Sequence, residues 1–91
     1  MTEAVEVRLK RLAMRSWRRG TKEMDLILGP FADARLAALS PDALELYDAL
    51  LEENDQDLYP WVTGAAPAPD RFAPLLAEIA DFARSRHTPE P

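Results

Sequence analysis

The 91-residue chain lacks cysteine altogether and has a single histidine, His87. Without cysteine there is no disulfide framework, no thiolate metal site and no thiol nucleophile. No apolar run approaches the ~20 residues of a membrane span, and three glycines form no phosphate-binding pattern. The first residues lack a secretory apolar stretch, and Glu3 and Glu6 argue against a mitochondrial presequence. We therefore expect one domain in a reducing compartment, a bacterial-type cytoplasm or an equivalent matrix.

Side chains able to carry catalysis are also scarce. His87 stands in a terminal segment without a neighbouring acid or nucleophile. The acidic run around Asp55 does not form a calcium-binding loop, because such a loop requires glycine at its sixth position and Pro60 stands there. We predict a protein that is not an enzyme, with no catalytic residue, no metal site and no stably held cofactor.

The net charge of −5 is unevenly distributed. Residues 1–22 carry seven bases against two acids, whereas residues 42–57 carry seven acids and no base. Either the two blocks stabilise one another or lie in solvent, or one of them steers a partner of opposite charge. Nucleic-acid binding by the basic first helix is disfavoured by the acidic net charge and by the absence of a second basic segment.

The hydrophobic periodicity predicts helices throughout and no strand. The predicted helices span residues 3–19, 22–39, 41–53, 56–63 and 70–86. Gly20 supplies a left-handed helix exit and Thr21 an N-cap, while Ser40 followed by Pro41 marks another start. Pro30 inside the second helix predicts a kink near the preceding residue. The expected fold is all-α, a compact five-helix bundle forming a single domain over 1–91, with a helical core of about 4–86 and a flexible tail over 87–91.

The third helix has the clearest amphipathic pattern. We expect one side to be buried, comprising Ala43, Leu46, Tyr47, Leu50 and Leu51. The acidic residues of the helix are expected on the opposite, solvated side, namely Asp42, Glu45, Asp48, Glu52 and Glu53. Asn54 or Asp55 is expected to cap the fourth helix, with Asp55 and Asp57 serving its first turn. Trp17 and Trp61 are expected to be core or half-buried anchors.

The segment 18–23, Arg-Arg-Gly-Thr-Lys-Glu, forms the turn between the first two helices. Each of its charges has a local explanation, since bases suit a helix C-terminus and acids suit an N-terminus. A turn needs only the glycine and a cap, however. Forked arginine donors beside a glutamate acceptor also suit docking on another protein.

Several segments together resemble the succinate dehydrogenase flavinylation factors, also called succinate dehydrogenase assembly factors. Residues 19–23 fit the RGxxE motif of that family, with 15–20 similar to its lead-in and 23–28 to its E-x-D-x-x-L continuation. Residues 55–61, Asp-Gln-Asp-Leu-Tyr-Pro-Trp, fit its D-x-D-L-x-x-W stretch. The resemblance covers about residues 9–64. Where many members have an aromatic residue, this chain has Met14.

The resemblance implies a non-enzymatic assembly factor with five helices. Such proteins bind the flavoprotein subunit of succinate dehydrogenase, and in bacteria often that of fumarate reductase, and promote covalent attachment of FAD to a histidine of that subunit. The residues expected to bind the flavoprotein are Arg19, Gly20 and Glu23, together with Arg15, Arg18 and Lys22. FAD is then the cofactor of the partner, while Asp55, Asp57 and Trp61 are expected to be mainly structural.

Two other classes stay open at this point. One is an antitoxin-like or cell-division partner protein, a label that this family has also carried. The other is a weak nucleic-acid-binding module that uses the first helix. Neither a membrane nor a nucleic acid is expected as the main partner.

Overall fold

The computed structural model describes residues 4–86, which fold into five α-helices joined by short turns. The helices are α1 (Val5–Trp17), α2 (Lys22–Arg35), α3 (Pro41–Leu50), α4 (Asp55–Thr63) and α5 (Ala73–Arg86). No strand occurs in the described range, so the predicted all-α, five-helix bundle is confirmed. Within residues 4–86, none of the helices has the length and apolar character needed to cross a membrane. The predictions for residue 3, for His87 and for the tail lie outside the described residues.

The local start and stop signals act as predicted. Gly20 has a φ of 107° and Gly64, which ends α4, a φ of 87°, both in the region that favours glycine. The Thr21 hydroxyl accepts a hydrogen bond from the Met24 amide at 3.4 Å. Ser40 accepts one from the Ala43 amide at 3.1 Å and thereby caps α3.

The ends of α2 and α3 and the start of α5 differ from the prediction by three residues or more, whereas α1 ends two residues early and α4 begins one residue early. A 3₁₀ turn, Leu36–Ala38, follows α2, which ends at Arg35. Helix α3 ends at Leu50, three residues early, because the following chain turns towards α4. Helix α5 begins at Ala73 because a turn precedes it, in which the Phe72 amide donates to the Pro69 carbonyl at 3.0 Å. Helix α2 runs through Pro30 without ending, and a kink there stays a prediction.

The core lies where α2 packs against both α1 and α5, with α3 and α4 closing the remaining sides. Its largest fully buried side chains include Tyr47 and Phe31, whose rings stack with centroids 5.9 Å apart. The Tyr47 hydroxyl lies 2.6 Å from Ser16 Oγ, which itself donates to the Leu12 carbonyl at 2.8 Å. Burial raises the pKa of Tyr47 to about 12. The buried side of α3 is only partly as predicted. Tyr47, Leu50 and Leu51 are buried as expected, whereas Ala43 and Leu46 are only partly buried. Leu44, which was not predicted, is buried as well.

Trp17 lies across the surface of α2 rather than inside the core. Its side chain is 40% exposed, and its indole N–H donates to Asp33 at 3.2 Å. The ring rests directly on Gly29, where an added Cβ would lie 2.3 Å from Trp17 Cδ2. Gly29 therefore serves close packing and not a special backbone angle.

We expect Gly29→Ala to destabilise the fold by up to about 2 kcal/mol. The clash with Trp17 costs about 1–3 kcal/mol as overpacking, and the better helix propensity of alanine returns about 1 kcal/mol. Urea unfolding measures the difference. In a Trp17→Ala background the same change should be neutral or stabilising, because the clash is gone. Stabilisation by Gly29→Ala with Trp17 in place would contradict the packing argument.

Candidate docking site

We call the turn between α1 and α2, residues 18–23, the corner. Helix α1 closes with the Arg18 amide donating to the Arg15 carbonyl at 3.3 Å. The positive φ of Gly20 then redirects the chain into α2. A Cβ built at Gly20 meets nothing within 4 Å, so the backbone there faces open space. The corner is thus a convex point at which another protein can approach the main chain closely.

Arg19 does not project from the corner as expected but folds back onto the turn between α3 and α4. Its Nε donates to Asp55 Oδ1 at 2.9 Å, and its terminal nitrogens donate to the carbonyls of Leu51 at 2.5 Å and Glu53 at 2.6 Å. Its side chain is only 10% exposed. We call this set of contacts the Arg19 clamp. It supplies donors for carbonyls beyond the end of α3 that the helix cannot satisfy itself.

A second contact fixes the corner from the α2 side. The Arg19 amide donates to Asp25 Oδ1 at 2.6 Å, six residues along the chain. Main chain and side chain of Arg19 are therefore both held, by two different parts of the fold. The residues that follow, from Gly20 to Glu23, are presented in one defined conformation.

Part of the acidic block lies against α1. Asp48 pairs with Arg15 at 2.9 Å, with Arg11 at 3.3 Å and with Arg8 at 3.5 Å. Arg15 also pairs with Glu52. The interpretation in which the two charge blocks stabilise one another is thus supported for these residues, and Asp48 is not on a purely solvated side. The paired bases of α1 do not form an unneutralised stripe for a nucleic-acid backbone.

These pairs predict how stability depends on pH. Partial burial acts to raise the pKa of Asp48, but the hydrogen bonds and charges of Arg15 and Arg11 outweigh it, so the pKa lies below the ordinary 3.8. A carboxyl with a lowered pKa stabilises the fold above its unfolded value, and this stability is lost as the pH falls through about 4 towards the folded value. Asp48→Asn should therefore flatten the acid limb of the melting temperature against pH. An unchanged limb in Asp48→Asn would contradict the assignment.

Six residues were predicted to bind a partner, and the structure divides them into two groups. Arg15 and Arg19 make internal contacts. The exposed members are Arg18, Gly20, Lys22 and Glu23. Within residues 4–86, the charged side chains of this second group make no ion pair. The exposed corner therefore offers two cations and one anion to a partner.

Two hollows that the sequence did not predict adjoin the corner. The larger, of about 430 Å³, lies between α2, α4 and α5, and the smaller, of about 300 Å³, lies between the start of α2 and the start of α4. Glu23 and Tyr59 line both of them. Leu26 and Tyr59 are 44% and 43% exposed. The sequence contains one indication of these hollows, because Tyr59 is a large apolar residue that lies off the face of α4 that buries Leu58 and Val62.

Residues 10–83 match the family model described as the flavinator of succinate dehydrogenase. The chain belongs to this family. The matched range includes the whole corner, the Arg19 clamp, the smaller hollow and every lining residue of the larger hollow except Arg84.

Curated relatives agree with this family assignment. The mitochondrial succinate dehydrogenase assembly factor 2 of Candida glabrata is 35% identical over 91 residues, which cover 94% of this chain and 60% of the relative. The protein of the same name from Kluyveromyces lactis is 36% identical over 89 residues, covering 92% of this chain and 55% of the relative. This chain thus spans between a half and two thirds of the length of these relatives.

The two segments that carried the family resemblance form one structural unit. Arg19 of the RGxxE segment and Asp55 of the D-x-D-L-x-x-W segment are the two ends of one ion pair. Farther along α4, Leu58 is buried and Trp61 packs near Phe72, with centroids 6.3 Å apart. Asn54 occupies the N-cap position of α4, but its side chain makes no capping hydrogen bond. Asp55, in the first turn of α4, binds Arg19 instead of capping the helix.

Proposed function

We propose that this chain binds the flavoprotein subunit of succinate dehydrogenase through the corner and promotes the covalent attachment of FAD to that subunit. The observation that carries the proposal is the exposed segment from Gly20 to Glu23, held in one conformation by the Arg19 clamp. The family described as flavinators, and relatives named as assembly factors, supply the chemical context. The flavoprotein subunit of fumarate reductase is proposed as a second partner.

Docking at the corner is favoured because the chain loses little freedom on binding. A surface that is already ordered avoids the entropy cost of fixing loops and side chains at an interface. The open space at Gly20 allows a partner main chain to come close, and the Glu23 carboxylate can accept hydrogen bonds from an arginine of the flavoprotein. Arg15 and Arg19 act in this proposal as positioning residues that hold the corner from behind.

The proposed mechanism is conformational. Holding a mobile part of the flavoprotein so that flavin and histidine stay in reactive geometry increases the rate of the linkage without any reactive group from the factor. We propose that FAD belongs to the partner throughout and is not held stably by this chain. The chain would act where the apo subunit folds, in the cytoplasm or an equivalent matrix.

The test combines the apo flavoprotein subunit of succinate dehydrogenase, FAD and this protein. Covalent flavin is read as fluorescence of the denatured subunit on a gel, with and without the factor. We expect a faster rise and a higher yield with the factor present. An unchanged yield would refute the proposal, and the same assay with the fumarate reductase subunit decides the second partner.

A further inference from the structure

We propose that the larger hollow between α2, α4 and α5, called the α2–α4–α5 groove, is a second part of the flavoprotein-docking surface. It takes one large apolar side chain of the flavoprotein, while a neighbouring lysine or arginine of the same segment pairs with Glu23. This inference rests on the proposed function, since it names the segment of the partner that the site would bind.

The walls of the groove are apolar and exposed. Leu26 and Tyr59 stand on its two sides, 44% and 43% exposed, with Ile27 and Val62 also lining it. Its volume of about 430 Å³ lies within the ~300–1,000 Å³ range that proteins use for binding pockets. Exposed large apolar side chains that face each other across a concave surface gain from covering by a partner.

The charge around the groove decides which kind of segment fits. Helix α4, one of its walls, has no basic residue and two acids, Asp55 and Asp57. The Asp55 carboxylate is already paired with Arg19, which leaves Glu23 as the anion that lines both hollows. At the far end, Arg84 pairs with Asp81 at 3.3 Å. Of the exposed charged side chains of the corner, only Glu23 lines the groove, so a cation of the partner belongs at the corner end, next to an apolar anchor in the middle.

Continuity with the corner supports the same occupant. Glu23 is at once a member of the exposed corner and a lining residue of the groove, so a partner that contacts Gly20 and Glu23 extends naturally towards Leu26 and Tyr59. Interface energy is usually concentrated in a few buried anchors surrounded by weaker contacts. The corner supplies the polar contacts, and the groove supplies the place for an apolar anchor.

Photo-crosslinking to the apo flavoprotein tests the occupant directly. Benzoylphenylalanine is placed at position 59 in the groove, at position 21 in the corner, and at position 7 of α1, where Val7 is 55% exposed, as the control. We expect crosslinks from positions 59 and 21 and none from 7. Mass spectrometry of the product from 59 should identify a peptide with a large apolar residue within two positions of a lysine or arginine.

Contrary results separate the two proposals. A crosslink from 21 without one from 59, or a peptide without a basic residue, overturns the groove and leaves the corner intact. Crosslinks between two copies of this chain at 59 would make the groove a self-association surface and also overturn it. No complex at all would refute the proposed function, and the groove inference with it.

Substitutions provide an independent readout. We expect Leu26→Ser and Tyr59→Ser each to weaken flavoprotein binding about 10-fold or more, with the melting temperature within a few degrees of the wild type because both side chains are already half exposed. Val7→Ser is the matched control and should bind as the wild type. Wild-type affinity in both groove variants, beside a loss in Glu23→Gln, would overturn the groove alone.

Discussion

Arg19→Ala is expected to lower the free energy of unfolding by about 3–5 kcal/mol, the cost typical of breaking a buried ion pair. The guanidinium is 10% exposed and its partner Asp55 13% exposed, so water can compensate only a small part of either charge if the other is removed. Removal also leaves the carbonyls of Leu51 and Glu53 without their donors. Urea unfolding, with the slope checked for two-state behaviour, measures the effect.

Two further variants make this prediction specific. Arg19→Lys keeps the charge but has no fork with which to reach three separate acceptors, so it should recover only part of the loss. Arg18→Ala removes an exposed neighbouring arginine and should change stability by less than about 0.5 kcal/mol. If Arg19→Ala unfolded like the wild type and lost only flavoprotein binding, the clamp would be wrong and Arg19 would be a docking side chain.

The sequence predicted the helices well wherever the deciding signal is local. Gly20 with Thr21, and Ser40 with Pro41, each combine a conformation and a cap within two residues, and the structure shows these caps in place. Helix α3 was predicted too long because its pattern continues past Leu50. What the following residues do instead depends on the Arg19 clamp, whose acceptors lie more than 30 residues along the chain.

Contacts between residues that are distant in sequence also limit how much of the site the sequence can predict. Local composition and the family resemblance both pointed to the corner, and the family assignment is confirmed. Neither could distinguish Arg18, which is exposed, from Arg19, which is clamped, because the difference is set by Asp55 on another helix. The groove was missed because Leu26 and Tyr59 are distant in sequence and line the same groove only when α2 and α4 both pack against α5.

In the folded chain, part of the acidic block of residues 42–57 pairs with bases of residues 1–22. The net effect of the two blocks is not a simple dipole, since Asp48, Glu52 and Asp55 neutralise the bases that face them. Within residues 4–86, the exposed bases of the basic block that make no ion pair are Lys10 in α1 and Arg18 and Lys22 at the corner. Charges that a fold uses internally stabilise it, and those left exposed and unpaired remain for a partner.

Glu23→Gln is expected to weaken flavoprotein binding by about 2 kcal/mol or more, which is roughly 30-fold in the dissociation constant. Gln keeps the size of the side chain but loses the charge that pairs with a cation of the partner. Within residues 4–86 Glu23 makes no ion pair, so the fold loses only the helix N-terminal interaction, about 0.3–1 kcal/mol. Titration calorimetry with the apo flavoprotein measures the affinity, and urea unfolding measures the stability.

Asp42→Asn is the matched control, because Asp42 is also an exposed acid in the first turn of a helix but lies away from the corner. It should cost a similar amount of stability and leave binding unchanged. Gly20→Ala would be a poorer test, since its φ of 107° makes any side chain there strained by about 1–3 kcal/mol and so mixes folding with binding. Equal loss of binding in Glu23→Gln and Asp42→Asn would assign the effect to helix stability. Loss in Glu23→Gln alone would establish the carboxylate as a contact with the flavoprotein.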